Sequence, residues 1–117
     1  MLKIQPLLSN SFGYSHKLKT DFKKGRLPIK YDMVGLPLTN KNVTLDHVIP
    51  KSLGGKSRLD NYVLATDEFN NLRGNSPLKD YVTHEMFDKW AEQFKELWVC
   101  GMRGVDYVKE IAEKIWG

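Results

Sequence analysis

Two short runs of β-favouring residues, Val43-Thr44-Leu45 and Tyr62-Val63-Leu64-Ala65, flank a stretch that cannot continue a strand. Pro50 has no backbone donor for a ladder, and Leu53-Gly54-Gly55-Lys56 reads as a loop. After the second run, Thr66 or Asp67 can cap a short helix, with Asp67 and Glu68 at its positive end. Gly74 is a plausible stop for that helix. The middle of the chain therefore predicts strand, loop, strand, helix. A unit of roughly 50 residues cannot bury an adequate core alone, so it needs partners from the rest of the chain.

The last third offers them. Phe87, Trp90, Phe94, Leu97 and Trp98 recur at spacings of three and four, as do Val105, Val108, Ile111, Ala112 and Ile115. Gly101 and Gly104 separate the two stretches, so residues 82–117 predict two core-packing helices. At 117 residues the chain has room for one domain. Its 41% hydrophobic and 27% charged residues are ordinary for a globular protein and make a disordered tail, a collagen-like repeat and a coiled coil poor readings. Apolar runs of a few residues predict no membrane span. The start, MLKIQPLLSN, lacks the apolar core and cleavage site of a secretory signal. The single cysteine, Cys100, cannot form an internal disulfide or a cysteine-based zinc site and reads as buried. A cytoplasmic location is the expectation.

Charge is unevenly distributed. Residues 1–30 hold seven Lys/Arg against one acid, a net of +6. Residues 31–81 hold six of each, and residues 82–117 hold five bases against seven acids, a net of −2. A basic N-terminal arm beside a neutral centre suits a polyanion such as DNA; a solubilising lysine-rich surface would look the same. Within the arm, Lys17, Lys19, Lys23 and Lys24 alternate with Phe12, Tyr14 and Phe22, which could meet bases or pack on the domain beneath.

The residues that carry chemistry lie in the middle. Leu45-Asp46-His47-Val48-Ile49-Pro50-Lys51-Ser52-Leu53-Gly54-Gly55 is followed by Asp60-Asn61-Tyr62-Val63-Leu64-Ala65 and then by Asn70-Asn71-Leu72-Arg73-Gly74. In this order and spacing the three blocks, over about residues 31–80, resemble the HNH endonucleases, the ββα-metal nucleases. The resemblance implies an α+β fold: a two-stranded antiparallel hairpin and short helix, packed here against C-terminal helices. It implies a metal-dependent endonuclease acting on DNA. It makes His47 the general base, and Asn61 the residue that braces the loop carrying that base. Asp46 and Asn70 become ligands of one divalent cation, Mg²⁺ or Mn²⁺, and Arg73 a phosphate contact. Lys51 joins Lys17, Lys19, Lys23 and Lys24 as a substrate-binding residue.

Such roles match what the reaction needs. A neutral imidazole can take a proton from water near neutral pH. A hard cation accepts carboxylate and amide oxygens and stabilises charge growing on the leaving oxygen. Asp46 and His47 are adjacent, so in a regular strand they would face opposite ways; serving one site requires a bend beside them. Plainer roles exist for each residue alone: Asp46 capping a turn, Asn70 on an exposed helix face, Arg73 pairing with Asp67 or Asp80. His16 and His84 lie outside the motif.

One departure from the family stands out. Many small members carry two Cys-x-x-Cys pairs that bind a structural zinc. The corresponding positions here are Tyr31, Val34, Thr66 and Phe69, which predicts no structural zinc. Tyr31, Val34 and Phe69 are expected to form an apolar cluster in its place. The small size resembles that of phage and mobile-element HNH proteins. A non-catalytic nucleic-acid-binding module, or an interaction module that docks on a phage packaging protein, is the alternative.

Overall fold

The computed structural model describes residues 11–117. The first ten residues of the predicted basic arm, and the side chains of Phe12, Tyr14 and His16, lie outside the described residues. What remains of the arm is not an arm. Residues Ser11–Lys23 form helix α1, which packs against the central strands, with Leu18 buried and Phe22 half-buried against the core. The basic run hid a core-packing element because the apolar residues it sets against the core, Leu18 and Phe22 among the described side chains, are few.

Strand β1 (Val43–His47) pairs antiparallel with β2 (Tyr62–Thr66), setting Val43 opposite Thr66 and His47 opposite Tyr62. Every residue of β2 is buried, which explains its unbroken apolar run. Helix α2 (Asp67–Arg73) starts at once. Thr66 is its cap, its Oγ1 accepting the Phe69 N–H at 3.2 Å, and Gly74 ends it at φ 56°.

Helix α3 (His84–Glu92) is capped by Thr83, whose Oγ1 accepts the Met86 N–H at 3.1 Å. The apolar spacing predicts that this helix runs on to Trp98; it stops at Glu92. Turns follow, then a small hairpin of β3 (Trp98–Val99) and β4 (Met102–Arg103), then helix α4 (Gly104–Trp116). Cys100 and Gly101 make the hairpin turn, with φ of 49° and 88°, the paired positive values of a type I′ turn. Periodicity misled here because Phe94 and Val99 are buried from a turn and a strand, while Trp98 is 65% exposed. The aromatic core joins Phe87, Trp90, Phe94 and Tyr107. Tyr107 is wholly buried and its hydroxyl donates to the Tyr62 carbonyl at 2.6 Å, tying α4 to the start of β2.

The predicted apolar cluster at the zinc-like positions is corrected. Phe69 is buried and meets Tyr81 edge-on, but Val34 is only half-buried and Tyr31 is 49% exposed. The link between the 31–37 loop and α2 is polar instead. Buried Asp32 accepts the N–H groups of Val34 and Leu36 at 3.2 and 2.8 Å on Oδ1. Its Oδ2 accepts the Thr66 N–H at 3.1 Å and the Thr66 hydroxyl at 2.7 Å. Gln93 clasps the same loop from just beyond α3, accepting the Lys30 and Tyr31 N–H groups and donating to the Tyr31 carbonyl. Among the described residues, no helix is long and apolar enough to cross a membrane.

Candidate active site

β1 ends at His47, and Pro50 opens a 3₁₀ turn over Lys51–Leu53. That break lets neighbours on the strand reach one place. Asp46, His47, Lys51, Ser52, Asn70 and Gly74 line a single open cavity of about 340 Å³ at the end of the strand, facing the start of the loop and the flank of α2.

Asn61 shapes the loop. It is 1% exposed, and its Oδ1 accepts the Ile49 N–H at 2.8 Å. Its Nδ2 donates to the Ile49 and Lys56 carbonyls at 3.0 and 2.9 Å. The two sides of the loop are thus laced to one buried amide, which uses its acceptor and both donors. Gly55 sits inside the lacing: a Cβ there would lie 1.7 Å from the Ile49 carbonyl oxygen and 3.0 Å from Asn61 Nδ2. Gly54 beside it is glycine for a different reason, its φ of 93°.

Arg73 departs from the role the resemblance implies. Its side chain is 0% exposed and every guanidinium nitrogen is engaged. Nε donates to the Ser76 carbonyl at 2.8 Å, Nη2 to the Val48 carbonyl at 2.6 Å, and Nη1 to the His47 carbonyl at 3.0 Å and Asp46 Oδ2 at 2.8 Å. A guanidinium so placed is spent on partners within the protein and presents no exposed nitrogen to a phosphate, unlike the contact the resemblance implies. Nor does it pair with Asp67 or Asp80; it clamps the end of β1 onto α2.

The clamp acts on Asp46. Burial pushes the Asp46 carboxyl above its ordinary range, and Arg73 and then His47 draw it partway back. His47 is half-buried, and its ring lies tilted against Tyr62 with centroids 4.7 Å apart. Its Nε2 is 3.2 Å from Ser57 Oγ. Burial and then the Lys51 ammonium lower its pKa, with Asp46 opposing, so the ring is neutral at physiological pH. Asn70 is half-buried and its Nδ2 donates to Thr44 Oγ1 at 3.3 Å. Lys51 is exposed at the rim.

The donor set suits a hard cation: a carboxylate and an amide oxygen on a cavity open enough to leave room for water. Among the described residues, no group of three or more His, Cys, Asp or Glu side chains gathers that could hold a metal ion. The lysines of α1 and the turn after it divide: Lys17 pairs with Asp21 at 3.4 Å, Lys19 is half-buried, and Lys23 and Lys24 are exposed. None of the four lines the cavity.

A larger cavity of about 450 Å³, between the 31–35 loop and α3, is lined by Val34, Met86 and Trp90 among others. Its charged side chains are Lys89 and Asp32, and Asp32 is committed to the loop. It offers no acid–base pair. Ser57, Asp32 and Tyr107 are the residues that sequence reasoning missed; only the spatial arrangement joins them to the others. Compared with known proteins, the chain matches no family model, no curated protein and no solved structure.

Proposed function

We propose that the chain is a metal-dependent endonuclease of the HNH type that hydrolyses DNA phosphodiester bonds. One observation carries the reading: Asp46, His47 and Asn70, from the strand end and the helix, line one open cavity with Lys51 at its rim. The antiparallel hairpin running directly into a capped helix supports it further.

His47, neutral at physiological pH, accepts a proton from a water in the cavity. Asp46 and Asn70 would hold Mg²⁺ or Mn²⁺ through their side-chain oxygens. When bound, such a cation stabilises charge on the phosphate and the leaving oxygen. Arg73 holds the Asp46 carboxylate in place from behind, and Asn61 holds the loop. Lys51 draws the phosphate to the rim, and the exposed lysines Lys23 and Lys24 add non-specific attraction for the backbone.

The test is supercoiled plasmid incubated with purified protein and Mg²⁺ or Mn²⁺. Cleavage is expected, is abolished by EDTA, and falls about 10²–10⁴-fold in His47→Ala while DNA binding persists. Equal turnover by wild type and His47→Ala, or none by wild type with either metal, would overturn the reading.

A further inference from the structure

We infer that Ser57 is the positioning residue for His47: it accepts the Nε2–H of the ring and thereby leaves Nδ1 as the atom that takes the proton. The inference rests on the reading of His47 as a base and deepens it.

Ser57 Oγ lies 3.2 Å from Nε2, so that nitrogen is engaged. A neutral imidazole has one N–H and one lone pair, and the hydrogen bond at one nitrogen decides which is which. A hydroxyl can donate or accept. Were Ser57 to donate, the ring proton would sit on Nδ1 and neither nitrogen could accept from water. With Ser57 as acceptor, Nδ1 is left for the task. The ring's other neighbour, Tyr62, meets it at a centroid distance of 4.7 Å and limits its rotation.

The placement of Ser57 follows from the loop. Asn61 Nδ2 holds the Lys56 carbonyl at 2.9 Å, one residue before Ser57, and holds Ile49, two residues after His47. One buried amide therefore fixes the base and its partner relative to each other. Asn61 acts on the ring through Ser57, not by touching it. At the other side, Tyr107 holds the Tyr62 carbonyl at 2.6 Å and so the strand that backs the ring.

The experiment pairs ¹⁵N NMR of the imidazole at about pH 8.5, two units above the ordinary histidine value, with plasmid-cleavage kinetics. The His47 signal is identified by its loss in His47→Gln. Wild type is expected to show the shifts of a single Nε2–H tautomer, and Ser57→Ala those of a tautomer mixture. Cleavage by Ser57→Ala should show kcat lowered about two- to tenfold, the worth of one ordinary hydrogen bond, with KM unchanged; Ser57→Thr should restore both readouts. An Nδ1–H tautomer in wild type, identical tautomer populations in Ser57→Ala, or an unchanged kcat would overturn the inference. A protein that cuts no DNA yet shows the tautomer shift would retire the nuclease reading and leave the Ser57 contact established.

Discussion

Arg73 Nη1 sits 2.8 Å from Asp46 Oδ2, joining the last residue of α2 to the penultimate residue of β1 across a buried interface. The pair carries the geometry of the whole cavity, because the same guanidinium also holds the His47 and Val48 carbonyls. Removing it strands a buried carboxylate and three carbonyls, those of His47, Val48 and Ser76. Arg73→Ala should lose about 3–5 kcal/mol, the usual cost of breaking a buried ion pair from one side. Arg73→Lys should recover only part, since an ammonium cannot reproduce a planar fork of donors. Urea denaturation of both variants checks this; a loss under about 1 kcal/mol, the worth of an exposed pair, would contradict the burial argument.

The lysines in and beside α1 should not be equal. Lys23 and Lys24 are exposed, whereas Lys17 is paired with Asp21. Replacing Lys23 and Lys24 by Ala should flatten the slope of log affinity against log salt, by about 0.9 for each phosphate left without its cation. Lys17→Ala should change it less. Truncation cannot ask this question, because Leu18 of the same helix is buried in the core. Filter binding across a salt series separates the cases, and a slope unmoved by the double change would turn α1 away from DNA.

Asp32 should matter more than a loop residue usually does. Its carboxylate accepts from Val34, Leu36 and both groups of Thr66. Asp32→Ala leaves several buried donors unpaired, each costing about 1–3 kcal/mol. Phe69→Ala, by contrast, empties an apolar site and should cost about 3–5 kcal/mol. Thermal melts of the two variants would show both losses; a near-native Asp32→Ala would deny that the polar clasp holds the loop to α2.

Stability should fall in alkali. Burial, with Asp21 adding to it, pushes the Cys100 thiol from 9.0 up to about 12, and burial pushes the Tyr107 hydroxyl well above its ordinary 10.0. Both groups bind their protons more tightly folded than unfolded. The stability this represents is therefore complete below the unfolded values and is lost as pH rises through 9 and 10 toward the folded ones. Denaturation midpoints between about pH 8 and 11 should decline, and Cys100→Ala should remove the earlier part of the decline. A flat profile would contradict the burial of both groups.

The central elements were readable because their signals are local. Val43–Leu45, Thr66 and Gly74 announce a strand, a cap and a stop through their own chemistry, and all three are found there. Asp46, His47 and Asn70 could be brought together on paper only through a resemblance, since they lie up to 24 residues apart. What escaped was decided by tertiary contact. Nothing in the sequence distinguishes a lysine that meets solvent from an arginine that is swallowed by carbonyls, as Arg73 is. The helix expected to reach Trp98 failed because a stripe of apolar residues does not say which backbone presents it. Asp32 was invisible because its partner Thr66 is brought to it only once the chain has folded.

The adjacent glycines of the loop have separable requirements, and a synthetic chain can tell them apart. Gly54 needs only its handedness: its φ is 93° and nothing lies within 4 Å of the point where a Cβ would stand, so a D-amino acid would suit that backbone better than an L-residue. Gly55 needs emptiness, because the Ile49 carbonyl already occupies the space an L-residue would claim. Mirror-image chemistry is thus admissible at the first position as a way to stiffen the loop, while the second acts as a volume gauge for how closely the two sides of the loop approach.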